Sequence, residues 1–131
     1  MAITQSKCGV WILDDTHKKI QSGYYEYCGM PILCTLWSWG RNNYGQLGDN
    51  TIIHRSSPVQ VPGTAWSDIS TGTYHSLAMK TDGTLWSWGD NLRSQLGHGT
   101  TIHRSSPVQV PGTAWNDISA GARFSIARKT D

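Results

Sequence analysis

Between residues 58 and 89 the apolar positions fall in four short bursts, PVQV (58–61), AWSDIS (65–70), YHSLAMK (74–80) and TLWSWG (84–89). Pro62-Gly63, Gly72 and Asp82-Gly83 punctuate them. Runs this short, rich in β-branched and aromatic residues and bounded by turn signals, predict strands. Asp-Gly favours a two-residue hairpin turn, in which both central residues reach positive φ, so TLWSWG is expected to pair with YHSLAMK. Within YHSLAMK, Leu77 and Met79 fall on one face and Ala78 on the other, and neither face is strongly polar. Such a strand is covered on both sides. Alternation also puts Trp86 and Trp88 on one face, with Leu85 and Ser87 opposite. Rings that bury roughly 150–250 Å² each suit the wedge between adjoining sheets. Ligand stacking and photochemistry are the alternatives for them.

The same pattern returns. At an offset of 49, residues 34–82 and 83–131 align without a gap and agree at 34 of 49 positions. Trp37, Trp39, Gly40, Gln46, Gly48, Pro58, Trp66 and Gly72 recur as Trp86, Trp88, Gly89, Gln95, Gly97, Pro107, Trp115 and Gly121. Repeats of this length indicate propeller blades or solenoids. Residues 1–33 keep the register faintly: Val10, Ile20, Gly23, Tyr25 and Met30 meet Val59, Ile69, Gly72, Tyr74 and Met79. The sequence therefore predicts an all-β protein of tandem four-stranded antiparallel propeller blades. About three units make an incomplete ring: a degenerate or specialised unit at 1–33, and repeats at 34–82 and 83–131.

Composition narrows the function. The net charge of +2 is small and scattered, which gives no footprint for specific nucleic-acid binding. No apolar run approaches the roughly 20 residues that cross a bilayer, so no membrane association is expected. The N-terminus lacks a signal-peptide pattern, and the expected location is cytoplasmic or within a virion. Cys8, Cys28 and Cys34, an odd number without metal-ligand spacing, read as reduced thiols, one disulfide being the alternative. Cys28 aligns with the core position Leu77 and is expected to be a buried thiol.

The strings LWSWGRNNYGQLGDN, SSPVQVPGTAW, ISTGTYHSLAMKTDG and LWSWGDNLRSQLGHGT resemble repeats of the regulator of chromosome condensation type, in their bacterial and viral style. The resemblance covers residues 34–131 well and 10–33 weakly. It implies a seven-bladed propeller acting as an interaction scaffold. The family includes a nucleotide exchange factor, a plant ultraviolet-B photoreceptor and a β-lactamase inhibitor, so fold alone says little of function. The photoreceptor's Gly-Trp-Arg-His-Thr motif is replaced here by Gly72-Thr73-Tyr74-His75-Ser76, which argues against light sensing. Nothing matches an exchange factor's catalytic loop. In the second copy Ser94 replaces the first glycine of Gly-Gln-Leu-Gly, and Arg123-Phe124-Ser125 replaces Tyr74-His75-Ser76.

Catalytic and metal constellations are weak. His54 and His103 sit in IHRSSP beside serines and an arginine, but no third orienting group accompanies them. Their repetition points instead to hydrogen bonds that pin the loop entering PVQV. Asp14, Asp15, Thr16 and His17 form one short cluster, read as solvated loop. No phosphate-cradling or dinucleotide fingerprint is present, and no cofactor is expected.

Twelve of the 15 differences between the copies fall in the segments 41–50 and 71–79 and their partners. Strands stay fixed while loops vary, as expected of a scaffold that presents a recognition surface; drift on solvated loops is the alternative. The candidate partner-binding residues are Arg41, Asn43, Tyr44, Tyr74, Asp90, Leu92, Arg93 and Arg123. The expected function is a non-enzymatic protein-interaction scaffold. A structural component of a phage or virus particle is the alternative, and an enzyme a distant third. PVQV, AWSDIS, YHSLAMK and TLWSWG taken as one blade leave the final blade with three strands. Head-to-tail self-association follows, with residues 2–7 supplying the missing strand.

Overall fold

A computed structural model describes residues 2–5, 11–14 and 34–131. Ten strands make up its regular structure: β1 (Ala2–Gln5), β2 (Trp11–Asp14), β3 (Leu36–Gly40), β4 (Arg55–Val61), β5 (Trp66–Thr71), β6 (His75–Lys80), β7 (Leu85–Gly89), β8 (Arg104–Gln109), β9 (Trp115–Ala120) and β10 (Ser125–Lys129). Every pairing is antiparallel, and β5-β6-β7-β8 form one four-stranded sheet. On either side of it stand two-stranded sheets, β3-β4 and β9-β10.

This grouping corrects the expected strand order. PVQV belongs to a longer strand that pairs backwards with LWSWG (Ser38 opposite Val59), not forwards with AWSDIS. Its second copy pairs in the same way, Ser87 opposite Val108. The cause lies in the two connections. The long loop 41–54 is tied down internally and returns the chain beside the strand it left. The short turn 62–65, with Gly63 and Ala65 both at positive φ, sends it to the next sheet. The four-stranded sheet thus straddles the boundary between the sequence repeats, and the final sheet has two strands, not three. Residues 2–5 are also not spare, since β1 pairs with β2 in register Ala2↔Asp14.

The central sheet is covered on both faces, as the alternation in β6 required. Ala78 and Trp88 pack with Cys34, Val61 and Trp66 on one side; Leu77, Met79 and Leu85 pack on the other, beneath Val110, Trp115, Ile118 and Ala127. The Asp82-Gly83 turn joins β6 to β7 as expected, but its form differs. Lys80 N–H bonds the Thr84 carbonyl and Gly83 N–H the Lys80 carbonyl, so the loop has three residues, and of Asp82 and Gly83 only Gly83 (φ +83°) is at positive φ. Lys80 lays its ammonium over the rings of Trp66 and Trp86, 4.9 and 4.7 Å from their centroids.

The tryptophans divide by what lies beside them. Trp88 is 2% exposed; Trp37 and Trp39, at the positions of Trp86 and Trp88 one repeat earlier, are 49% and 62% exposed. The reading of all four as packed core therefore holds in the second copy and fails in the first. Trp66 is buried, and its counterpart Trp115 is half-buried.

Cys34 is disulfide-bonded, which corrects the reduced-thiol reading; its partner lies outside the described residues. The expectations for Cys28 and for Asp15, Thr16 and His17 also fall outside them.

Candidate protein-interaction face

Antiparallel pairing brings the loops 41–54 and 90–103 and the turns at 72–74 and 121–124 to one end of the sheets. A buried asparagine organises each long loop. Asn42 donates through Nδ2 to the carbonyls of Thr51 (2.9 Å) and Ile53 (3.0 Å), and its Oδ1 accepts from Leu47 N–H. Asn91 repeats this with Thr100, Ile102 and Leu96. Such buried amides are tolerated because each is satisfied. Ser38 and Ser87 add hydrogen bonds to the Leu47 and Leu96 carbonyls, both at 2.7 Å.

The repeated histidines do what their repetition implied. His54 Nδ1 accepts from Asn42 N–H at 2.9 Å, and His103 Nδ1 accepts from Asn91 N–H at 3.0 Å. An accepting Nδ1 places the proton of the neutral ring on Nε2. The 3.3 Å approach of Asp90 Oδ1 to His103 Nδ1 is then no ion pair while the ring is neutral.

One difference between the copies changes the electrostatics. In the first loop Asp49 pairs with Arg55 at 2.8 Å. Burial raises the Asp49 pKa, but hydrogen bonds from Thr51, Arg55 and Asn42 outweigh it and hold the carboxyl below its ordinary value. In the second loop His98 stands in that place, its Nε2 2.8 Å from Ser87 Oγ. Burial pushes the His98 pKa down and neighbouring Arg104 adds to this, against a hydrogen bond to the Val108 carbonyl.

The candidate contact residues separate into three groups. Arg41, Asn43, Tyr44 and Tyr74 come together. Arg41 Nε donates to Asn43 Oδ1 (3.0 Å), and its guanidinium lies 5.2 Å from the Tyr74 ring centre. Tyr74 meets Tyr44 at 5.2 Å, and Tyr44 meets the His103 ring at 5.3 Å. This chain of ring contacts, tilted at 56° and 58°, bridges both long loops and the turn between them. Leu92, Arg93 and Arg123 are exposed, and the two arginines border a pocket of about 330 Å³ between the central sheet and β9-β10. Asp90 departs from the expectation of a presented side chain. It is buried, and its carboxylate accepts from Gln95 Nε2 (2.9 Å) and Leu92 N–H (3.2 Å).

Sequence reasoning missed His103 as part of this cluster, because Tyr44 and His103 meet only through the packing of one loop on the next. It also missed Ile52, Ile53 and Ile102, each about three-fifths exposed on the same loops. The recurrence of TIIHR as TTIHR was the available signal. Among the described residues no group of three or more His, Cys, Asp or Glu is placed to hold a metal ion. No helix among them is long and apolar enough to cross a membrane.

A four-stranded antiparallel sheet, built from a repeated sequence, packed on both faces and carrying its long loop and turn at one end, defines a β-propeller blade. The model of the regulator of chromosome condensation (RCC1) repeat matches residues 35–79 and 82–128, and a second model of that description matches residues 66–95. The chain belongs to this repeat family.

No curated protein matches the chain. Among solved structures it is similar to human WBSCR16, with 24% identity, a TM-score of 0.60, and coverage of 72% of this chain and 27% of that one. It is also similar to Prp20p from Saccharomyces cerevisiae, with 23% identity and a TM-score of 0.65 over 74% of this chain and 27% of that one. A third similar structure is yeast RCC1 (Prp20) bound to Kap60, at 24% identity and a TM-score of 0.60, covering 71% and 25%. The chain spans about a quarter of the length of each.

Proposed function

We propose that this chain is a non-enzymatic scaffold that binds a protein partner through its loop face. The observation that carries this is the contact cluster Arg41–Tyr74–Tyr44–His103. Tyrosine and arginine are the residue types that dominate binding energy at protein interfaces, and here backbone-anchored loops hold them in place. The polar groups beside them support binding over catalysis, since His54 and His103 use Nδ1 to fix the backbone and the Asp90 carboxylate is already satisfied. The structural neighbours lean the same way: one was described with its binding to Gsp1p and histones, another bound to Kap60. Association of the chain with its own copies, head to tail, belongs to the same reading.

A photo-crosslinking residue placed at Asn43 tests this against one at Thr64, in the turn at the opposite end. Adducts formed at Asn43 and lost on Tyr74→Ala support the loop face. Equal capture from Thr64, or indifference to Tyr74→Ala, overturns it.

A further inference from the structure

The seat that holds Trp88 exists twice, and among the described residues no side chain fills its second copy. Trp88 lies against Val61, Trp66 and Ala78, and its indole N–H donates to the Gln46 carbonyl at 2.9 Å. Gly48 makes the room: a Cβ there would stand 2.6 Å from Trp88 Nε1. One repeat on, Gln95, Gly97, Val110, Trp115 and Ala127 line a pocket of about 330 Å³. A Cβ added at Gly97 would meet only Val110, at 3.5 Å. The Gln95 carbonyl accepts from Ser125 Oγ as Gln46 does from Ser76 Oγ, which leaves one lone pair in the place where Gln46 receives the indole.

Trp88 reaches its seat because β7 pairs with β6. The strand in the position of β6 is β10, and among the described residues β10 pairs only with β9. An occupant must therefore be an extended strand that adds to the β10 edge and carries an indole in the register of Trp88. Strand β3 has that sequence: both β3 and β7 read LWSWG. Its Trp37 and Trp39 are the exposed pair.

We propose that β3 of a second copy adds to β10 and seats its Trp39 in the Gln95–Gly97 pocket. This rests on the self-association reading above and gives it a contact. The interface is heterologous, so each copy keeps one half of it free, and copies join into rings or open chains. Ser94 limits the fit. Its counterpart Gly45 lies so close to Ser105 that a Cβ would stand 2.5 Å from that residue's Cα, and in the new interface the corresponding residue is Ser56.

Sedimentation of the 131-residue chain over a concentration series, with Trp39→Ala, Ala127→Leu and Ser94→Gly, tests the contact. Trp39 is exposed, so its removal leaves the fold intact; Ala127→Leu fills the pocket. The expected result is association of the parent chain, weakened at least about tenfold in either of the first two variants, and strengthened by Ser94→Gly. An equal mixture of Trp39→Ala and Ala127→Leu should form a one-to-one dimer, because each supplies the half the other lacks. Association indifferent to these changes overturns the contact while leaving self-association standing. A monomer at all concentrations overturns both, and a mixture that stays monomeric overturns the pairing of these two faces.

Discussion

Trp88 and Gln46, forty-two residues apart, are joined by an indole N–H to carbonyl hydrogen bond of 2.9 Å that crosses from one sheet to the next. The same carbonyl accepts the Ser76 hydroxyl at 2.8 Å. One backbone oxygen of the loop thus gathers two strands of the neighbouring sheet, and Trp66 packs its ring 6.1 Å from that of Trp88 in the same cluster.

That cluster sets the first expectation. Trp66→Ala should cost about 3–5 kcal/mol, as for a large ring removed from a packed core. Trp115→Ala should cost less, its ring being half-buried, and Trp37→Ala less than about 1 kcal/mol. Urea unfolding of the three variants checks the ranking; equal losses would mean that the two copies pack alike.

Stability should fall as the solution is acidified below pH 6.5, the ordinary histidine value. Burial depresses the pKa of His75 and of His98, in His75 against the opposing pull of Asp90. Both rings then bind a proton more readily in the unfolded chain, so stability rises with pH across the window below 6.5 and is level above it. His75→Gln and His98→Asn should each flatten the slope. Thermal melts from about pH 5 to about pH 8 measure it, clear of the range in which Asp49 and Asp82 titrate.

His75 also has a defined proton. Ser125 gives its hydroxyl proton to the Gln95 carbonyl, so His75 Nε2, 3.0 Å away, must be the donor between them. Nitrogen NMR of the ring at neutral pH should show a protonated Nε2 and a bare Nδ1. The reverse pattern would mean that Ser125 has turned away from Gln95.

Asn91→Ala should destabilise by about 2 kcal/mol or more, because it strips partners from the Thr100 and Ile102 carbonyls and the Leu96 N–H at once. Hydrogen exchange at Leu96 should accelerate beyond the change at β6. Uniform acceleration would show that the loop and the sheet unfold together.

Cys34 should be recovered disulfide-linked in a non-reducing peptide map. A free Cys34 thiol in the folded chain would remove the bond.

How much was legible follows from the range of each interaction. The hairpin at Asp82-Gly83, the two-faced burial of Leu77, Ala78 and Met79, and the loop-pinning role of His54 and His103 all lie within a few residues or one loop. They were readable from spacing and repetition. The direction in which PVQV pairs was not, because periodicity marks where strands lie and not which neighbour they choose; the deciding bonds of Asn42 are hidden within the loop. Arg41, Tyr44 and Tyr74 were marked by their variation between the copies, but their meeting with His103 was not legible for a similar reason, since Tyr44, Tyr74 and His103 come from three connections. Nor did sequence distinguish Trp39 from Trp88, whose immediate contexts match and whose surroundings do not.

Because the four-stranded sheet takes β5 and β6 from one sequence repeat and β7 and β8 from the next, gene-level copies and structural blades are out of step. Duplicating 49 residues would set a further copy of β7 beside a further copy of β6, in the register those strands already use. Length in this architecture can change by whole repeats without creating a junction of a new kind, and every junction is covalently stitched through the middle of a sheet. The number of blades is thus a quantity that recombination can alter in single steps while each intermediate still has matching strands to pair.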